Sequence, residues 1–373
     1  MQTQNKFMIT LGTVNISKKT KTLLDEALKK GIIGQGHYIQ DFEQKLAKFL
    51  GVKYVIATAN GTLADTVALA VAKYKDGEKR NEVIVPALTF IAQINAVYYN
   101  HLKPVFIDIG YDYQIDVAQI EKKINKNTLA IMPADLLGKP ANMSKILELA
   151  KKYDLYVVED ACEALGSKYK NKLCGAIGDM GCFSFFVSHS ITTGEGGAIA
   201  TNNRQLAELA RSLRNHGRKG SNPGEHFIFP YIGYSAKMNA LEAIIGLGVI
   251  DELGEHIKRR HANLARLNES VGRDLFLDAK DEYIVPHGFP FLVKSQKLRD
   301  NLLKELPKKF GIEARQIFYS IPTQSGAYRF LGEKIGSYPV AEDIGRRGLY
   351  LPCHQNLNGR ELARIAEVLR NII

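Results

Sequence analysis

The sequence has few cysteines, and their spacing excludes the common cysteine-based sites. Cys162, Cys174, Cys182 and Cys353 form no Cys-x-x-Cys pair, so a zinc or iron–sulfur centre has no local support. We therefore expect no metal site, and thiols that are reduced and mostly structural.

Long apolar runs are also missing. Segments such as Ile244–Ile250 are far shorter than the roughly 20 residues that a membrane-spanning helix needs. Residues 1–7 lack the apolar core of a secretory signal peptide. The expectation is a soluble, cytoplasmic protein without a membrane partner.

No long run of basic residues accompanies the net charge of +11, because the lysines and arginines are scattered along the chain. Nucleic-acid binding is therefore not expected, whereas a basic surface can attract a nucleotide diphosphate. A hydrophobic content of 45% and a charged content of 24% are ordinary for a globular protein and do not indicate disorder. The 373 residues suffice for one large core and a smaller second one.

From about residue 50, short β-rich runs alternate with helical stretches, which is typical of a parallel sheet covered by helices on both faces. The predicted strands are Lys53–Thr58, Glu82–Val85, Pro104–Asp108, Thr128–Met132, Leu155–Val158, Gly181–Phe186 and Ala198–Thr201. The predicted helices are Thr62–Lys73, Ile91–Tyr99, Val117–Lys123, Met143–Tyr153, Arg204–Asn215 and Met238–Leu253, with a long loop over residues 217–232. In such sheets the ligand lies beyond the carboxyl ends of the strands.

Three short motifs fall at that edge. Asp160 follows the strand Leu155–Val158, where a carboxylate can keep a heterocyclic nitrogen protonated or can merely cap the next helix. Asn60-Gly61-Thr62 lies between a strand and a helix, where backbone amides can bind a phosphate. Phe90 follows the next strand and is either a ring at the same edge or ordinary core.

Taken together with the segment Ser184-Phe185-Phe186-Val187-Ser188-His189, these motifs resemble the DegT/DnrJ/StrS sugar aminotransferase family of fold-type-I pyridoxal-phosphate enzymes. The likeness covers nearly the whole chain and includes Arg214-Asn215-His216-Gly217, Pro339-Val340-Ala341-Glu342 and Leu351-Pro352. It implies an α/β fold: a large domain over residues 1–253, with a mainly parallel seven-stranded sheet between helices, and a small α+β domain over residues 254–373.

The main departure from the family pattern is His189, which stands where the family has the lysine that holds the cofactor as a Schiff base. This substitution resembles the sugar 3-dehydratase branch typified by GDP-4-keto-6-deoxymannose 3-dehydratase. Glu163 agrees with that branch, since aminotransferases of the family usually have glutamine there. A related branch holds an iron–sulfur cluster through cysteines after the histidine, but no cysteine lies between Cys182 and Cys353.

The resemblance implies pyridoxal or pyridoxamine phosphate bound noncovalently, without an iron–sulfur cluster. His189 would be the base, Asp160 would hold the ring nitrogen, and His216 would lie near the sugar. The remaining cofactor contacts would come from Gly61, Thr62, Phe90, Glu163, Ser184, Ser235 and Lys237. Substrates would be a nucleotide-linked 4-keto-6-deoxyhexose and glutamate.

Family members are dimers in which a loop of one subunit enters the site of the other, usually with the sequence Gly-Tyr-Asn-x-Arg. This chain has Gly233-Tyr234-Ser235-Ala236-Lys237 instead, and lysine keeps the charge but loses the bidentate fork of arginine. The resemblance thus implies a homodimer with shared sites. Two other functions stay open: an aminotransferase that works without the lysine, and a non-catalytic cofactor-binding regulator.

Overall fold

The structure is a computed structural model that describes residues 8–14, 16–220, 222–272 and 275–372. Residues 1–7, on which the signal-peptide expectation rests, lie outside these ranges. Within them, no helix is both long enough and apolar enough to cross a membrane.

Strands and helices alternate from residue 54 to residue 160, as the sequence pattern predicts. The strands are β1 (Tyr54–Thr58), β2 (Glu82–Pro86), β3 (Lys103–Ile107), β4 (Thr128–Ile131), β5 (Tyr156–Asp160), β6 (Lys168–Tyr169), β7 (Lys172–Leu173), β8 (Met180–Ser184), β9 (Gly197–Thr201), β10 (Glu282–Tyr283), β11 (Phe289–Leu292), β12 (Arg315–Gln316) and β13 (Gly348–Leu351). The helices are α1 (Lys18–Lys29), α2 (His37–Leu50), α3 (Gly61–Lys75), α4 (Ile91–Tyr99), α5 (Val117–Ile120), α6 (Met143–Tyr153), α7 (Arg204–Arg214), α8 (Ala240–Val249), α9 (Leu253–Val271), α10 (Gln296–Glu305), α11 (Ile321–Gln324), α12 (Pro339–Arg347) and α13 (Gly359–Ile372).

The central sheet has seven strands in the order β1-β9-β8-β5-β4-β2-β3. Strand β9 runs antiparallel to both of its neighbours, and the other pairs are parallel. The predicted α/β class and mainly parallel seven-stranded sheet are therefore confirmed. Strands buried on both faces explain the almost uninterrupted apolar runs in β2, β4 and β5.

Residues from 253 onward form α9 and a three-stranded antiparallel sheet in the order β11-β13-β12, packed with α10, α12 and α13. A further small sheet pairs β10 with β6 and β7, so it joins the later part of the chain to the earlier part. The predicted domain boundary between residues 253 and 254 remains a prediction.

Two predicted boundaries were wrong in ways that matter for the site. Asp160 lies inside β5 and not beyond it, because it continues the parallel pairing with Cys182 of β8. The predicted helix Met238–Leu253 is α8, a 3-10 turn at Ile250–Glu252 and the start of α9. The Asn239 capping box begins α8 later than the apolar pattern suggests.

Candidate active site

A cavity of about 330 Å³ opens at the carboxyl ends of the central strands. Its walls include seven residues that the sequence predicts for the site: Gly61, Thr62, Phe90, Asp160, Glu163, Ser184 and His189. Side chains that the sequence analysis missed complete the walls, among them Asp65, Asp135, Glu195, His287, Arg315, Phe318 and Tyr350.

The amino end of α3 forms one wall and is suited to bind a phosphate. Asn60 caps the helix by accepting a hydrogen bond from the amide of Leu63 at 2.9 Å. The amides of Gly61 and Thr62 are the first two of the helix, where the i→i−4 ladder offers no acceptor, so they are free for an anion. A side chain at Gly61 would place its Cβ 2.8 Å from the Cβ of Ser184, so only glycine allows this close approach.

The adjacent acids Glu159 and Asp160 have separate roles. Glu159 is fully buried and accepts hydrogen bonds from the amides of Gly175, Ile177 and Gly178 at 2.6–2.9 Å, so it holds a loop in place. Asp160 faces the cavity, and its Oδ1 accepts one weaker hydrogen bond from the amide of Cys162 at 3.2 Å. Burial raises the pKa of Asp160. A protonated ring nitrogen would supply the positive partner that this buried carboxylate needs.

A second buried carboxylate, Asp65, lies beside Asp160, and its Oδ1 has no hydrogen-bond partner among the described residues. Ligand-type atoms of Asp65, Asp160 and Cys162 lie within 4.8 Å of one another. Because Asp160 fits the ring nitrogen, we assign no metal here, and the expected absence of a metal stays a prediction.

His189 lies in the loop over residues 185–196, which leaves the sheet at β8 and returns at β9. Its Nδ1 is enclosed and has no hydrogen-bond partner within the described ranges. Burial, and then the nearby Arg260, lower the pKa of His189 to about 3. The ring is therefore neutral near pH 7 and free to accept a proton, although it is less basic than the ordinary value of 6.5 suggests.

The backbone of the loop that carries His189 is held in place by hydrogen bonds from a buried guanidinium group. Arg260 in α9 donates hydrogen bonds to the backbone oxygens of His189 at 3.1 Å and Pro286 at 2.9 Å. It also donates to the side chain of Gln355 at 2.8 Å. The backbone under His189 is thus held by a residue distant in the sequence.

Phe90 lies at the cavity mouth and is not ordinary core, since 54% of it is exposed. Its ring centre is 5.4 Å from that of Phe318, which also lines the cavity. The exposed ring of Phe90, backed by the partly buried Phe318 and close to the phosphate-binding amides, suits stacking against a planar ring.

His216, Ser235 and Lys237 do not line the cavity formed by their own chain. They lie side by side near the end of β1, where Lys237 donates to the Asn215 side chain at 2.9 Å and pairs with Thr58 in an isolated bridge. His216 directly follows Asn215, the C-cap of α7, in left-handed conformation. The predicted position of His216 near the sugar therefore needs a site formed with a second chain, and it stays a prediction.

Glu163 spans the gap between Leu137 and His287. Its Oε2 accepts the amide of Leu137 at 2.7 Å, and its Oε1 lies 3.7 Å from Nε2 of His287. Burial raises the pKa of Glu163 to about 7. The side chain therefore changes charge near physiological pH.

Glu163→Gln should make the protein more stable than the parent as the pH rises. The folded parent holds this proton more tightly than the unfolded chain between pH 4.5 and 7, so the parent loses stability through that window, by at most about 3 kcal/mol. Urea unfolding at pH 5, 6, 7 and 8 measures the difference, with Glu269→Gln as the control at an exposed helix position. A difference that is the same at every pH would contradict the prediction.

Fold and site together define the class: an α/β enzyme of the pyridoxal-phosphate type. The free amides at the start of α3, the buried carboxylate of Asp160 and the exposed Phe90 match the phosphate, ring nitrogen and ring face of that cofactor. The chain belongs to the DegT/DnrJ/EryC1/StrS aminotransferase family, whose model matches residues 14–370.

Individual relatives agree with this assignment. The chain is 35% identical over 357 residues to a GDP-perosamine synthase of Escherichia coli O157:H7, with 95% of each chain covered. It superposes with a TM-score of 0.89 on PseC of Helicobacter pylori, an aminotransferase of pseudaminic acid biosynthesis, at 28% identity over 98% of this chain and 99% of that one. A structure of GDP-4-keto-6-deoxymannose-3-dehydratase (ColD) with bound GDP-perosamine has a TM-score of 0.87 over 96% of this chain and 99% of that one; at 24% identity it shows a shared fold.

Proposed function

We propose that this protein is a nucleotide-sugar 3-dehydratase that removes the 3-hydroxyl group of a nucleotide-linked 4-keto-6-deoxyhexose, with a GDP-sugar favoured. It would use noncovalent pyridoxamine phosphate and glutamate, in the synthesis of deoxysugars for surface polysaccharide. One observation carries the proposal: His189, which the family resemblance places at the position of the lysine, lines the cavity, and none of the described lining residues is a lysine.

Each step assigned to the chain follows from a group in the cavity. The amides at Gly61 and Thr62 bind the phosphate, and Asp160 keeps the ring nitrogen protonated. When bound, the cofactor supplies an amine for the 4-keto group and a ring that accepts an electron pair.

His189 would act first as a base and then as an acid. With Nδ1 enclosed, Nε2 would be the atom of His189 that accepts the proton at the reacting carbon. The imidazolium then gives that proton to the departing 3-hydroxyl, which leaves as water. Burial makes the imidazolium a strong acid, which favours this second transfer.

An aminotransferase is the second candidate, because the GDP-perosamine synthase relatives favour it. Mass spectrometry of products from GDP-, CDP- and dTDP-4-keto-6-deoxyhexoses, with glutamate and cofactor present, separates the two. A 3-deoxy product would support the dehydratase assignment, and a 4-amino sugar as the sole product would contradict it. Turnover of none of the sugars would favour a non-catalytic cofactor-binding protein.

The cofactor should not become covalently attached. Because no described lining residue is a lysine, borohydride treatment of the loaded protein should leave the mass of the denatured chain unchanged. A relative with the lysine serves as the positive control. A reduced cofactor adduct on any lysine would contradict the noncovalent assignment.

We also propose a homodimer in which each subunit completes the site of the other. The loop over residues 217–232 exposes large apolar side chains, with Phe227 86% and Ile232 87% exposed, as expected for a surface that a second copy covers. His216, Ser235 and Lys237 flank this loop and are absent from their own cavity wall. Cytoplasmic localisation is part of the same proposal.

Mixing two inactive variants tests this sharing of sites. His189→Asn and Lys237→Ala should each be weakly active alone, and their co-refolded mixture should recover up to about a quarter of parental activity, because a mixed dimer contains one intact site. Combining both substitutions in one chain gives the matched control, which should not recover when mixed with itself. Full activity of a dilute monomer would rule the arrangement out.

A further inference from the structure

His287 lies in the cavity beside His189 and belongs to none of the sequence motifs described above. The two ring centres are 5.0 Å apart at an interplanar angle of 48°. His287 is only 5% exposed, and its Nδ1 is enclosed without a hydrogen-bond partner in the described part of the chain. Both histidines thus have the same unpaired buried nitrogen, although a buried polar atom normally has a partner.

Glu163 and His287 are held relative to each other by one residue. Leu137 donates its amide to Oε2 of Glu163 at 2.7 Å and accepts the amide of His287 on its carbonyl at 3.0 Å. Oε1 of Glu163 is left facing Nε2 of His287 at 3.7 Å. The carboxylate therefore lies at the Nε2 side of His287.

Arg260 provides the second fixed point. Its guanidinium donates to the carbonyls of His189 and of Pro286, the residue before His287. The two histidine-bearing loops, which are about 100 positions apart in the sequence, are thus tied to one buried side chain. His287 therefore has Oε1 of Glu163 at 3.7 Å and the His189 ring at 5.0 Å, and hydrogen bonds from Leu137 and Arg260 hold the surrounding groups in place.

We propose that His287 is a positioning residue for His189, linked to Glu163 on its far side. Neither ring makes such a hydrogen bond in the structure, but a small rotation of the two rings would let Nδ1–H of His189 donate to Nδ1 of His287 and so satisfy both unpaired nitrogens. The same movement would bring Nε2–H of His287, now 3.7 Å from Oε1 of Glu163, within hydrogen-bonding distance of that oxygen. This arrangement fixes the tautomer in which Nε2 of His189 is free to take a proton. The inference rests on the proposed role of His189 as the base, and follows the general rule that a third group orients the base.

The charges around His287 set the expected pH dependence. His189, Arg260 and Arg315 are the basic groups that act on it, Glu163 is the acid, and the Tyr350 ring lies 5.8 Å away. Burial and these basic groups hold the pKa of His287 well below its usual range, so it stays neutral. Glu163, with a pKa of about 7, is ionised only above that pH, so its support of a protonated His189 should fade as the pH falls through 7.

The first measurement is independent of the reaction product. In ¹⁵N-histidine-labelled protein without sugar, NMR should show His189 protonated at Nδ1, with its signals assigned by their loss in His189→Asn. In His287→Phe this single tautomer should give way to a mixture, whereas Tyr350→Phe, which removes a hydroxyl from the same wall, should leave it intact. An unchanged His189 tautomer in folded His287→Phe would overturn the proposal.

The second measurement is consumption of the 4-keto sugar, whichever product forms. His287→Phe should lower kcat about 100-fold with KM within about threefold, and His287→Gln should recover part of the loss. The parent's kcat should fall below pH 7, and this limb should vanish in Glu163→Gln. The double variant should be no slower than the slower single one, because the two residues act as a unit. Additive losses in the double variant, or an effect on KM alone, would overturn the proposal. A 4-amino product, with the kcat losses, the pH dependence and the non-additivity all as expected, would overturn only the dehydratase assignment.

Discussion

His189→Lys is expected to bind its cofactor covalently and to lose dehydration activity. A lysine at this position would reach the cavity that His189 lines and form the imine bond that imidazole cannot form. The protein should turn yellow with pyridoxal phosphate, keep that colour through dialysis, and gain the mass of the cofactor after borohydride treatment.

Two effects should lower formation of the 3-deoxy product at least about 100-fold, the low end of what a positioned acid–base group contributes. The amine competes for the cofactor, and it returns a proton to the sugar where the imidazolium would give one to the leaving hydroxyl. Some 4-amino sugar should appear in its place. The ratio of 3-deoxy to 4-amino product at equal glutamate is the measurement.

A lysine introduced away from the cavity should neither bind the cofactor covalently nor lower the rate of dehydration. His261→Lys changes a half-buried histidine whose Nδ1 lies 2.9 Å from the carbonyl of Ile284, away from the cavity walls, and serves as the matched control. If His189→Lys still dehydrates at the parental rate, His189 is not the base and the dehydratase assignment loses its main support.

Asp160→Asn should abolish most turnover without unfolding the protein. The amide is nearly isosteric but carries no charge, so it cannot keep the ring nitrogen protonated, and kcat should fall on the order of 10³-fold, as for loss of a preorganised electrostatic partner. The free energy of unfolding should change little, because Asp160 accepts one weak hydrogen bond and its ionised form is disfavoured by burial.

Substitution of Glu159, the sequence neighbour of Asp160, should lower stability more than activity. Glu159→Gln removes the charge that three amides bind, and at least one hydrogen bond is lost, so unfolding should become easier by about 1–3 kcal/mol. Activity per folded molecule should fall far less than in Asp160→Asn. The assignment of the two acids would be reversed if Asp160→Asn destabilised the fold and Glu159→Gln stopped turnover.

The sequence predicted the parts of the site that lie in local motifs. The capped turn at Gly61 and the acid at Asp160 could be found because each lies at the carboxyl end of a strand whose apolar pattern is clear, and His189 was found through the family resemblance. The seven strands of the central sheet could be found from the same apolar patterns, with ends misplaced by at most two residues where pairing with neighbours, as at Asp160, extends or shortens a strand.

The site residues that the sequence analysis missed lie in segments without a local motif. His287 and Arg315 lie in or beside short antiparallel segments after residue 280, and no spacing rule links them to residues 130–190. They reach the cavity through tertiary contacts such as those of Arg260 and Leu137. The low basicity of His189 was missed too, because it depends on burial, which a sequence does not display.

The reversed direction of β9 has a consequence for how such enzymes diversify. Because β9 runs antiparallel to β8, the loop over residues 185–196 leaves and returns to the same end of the sheet, closed by hydrogen bonds between Phe185 and both Thr193 and Gly196. His189 thus lies on a closed loop, and among the described residues its side chain makes no hydrogen bond to a strand or helix. Substitution of residue 189 can therefore change the reaction with little effect on the stability of the fold. Proteins that descend from one ancestor can in this way catalyse different reactions while they keep the same fold.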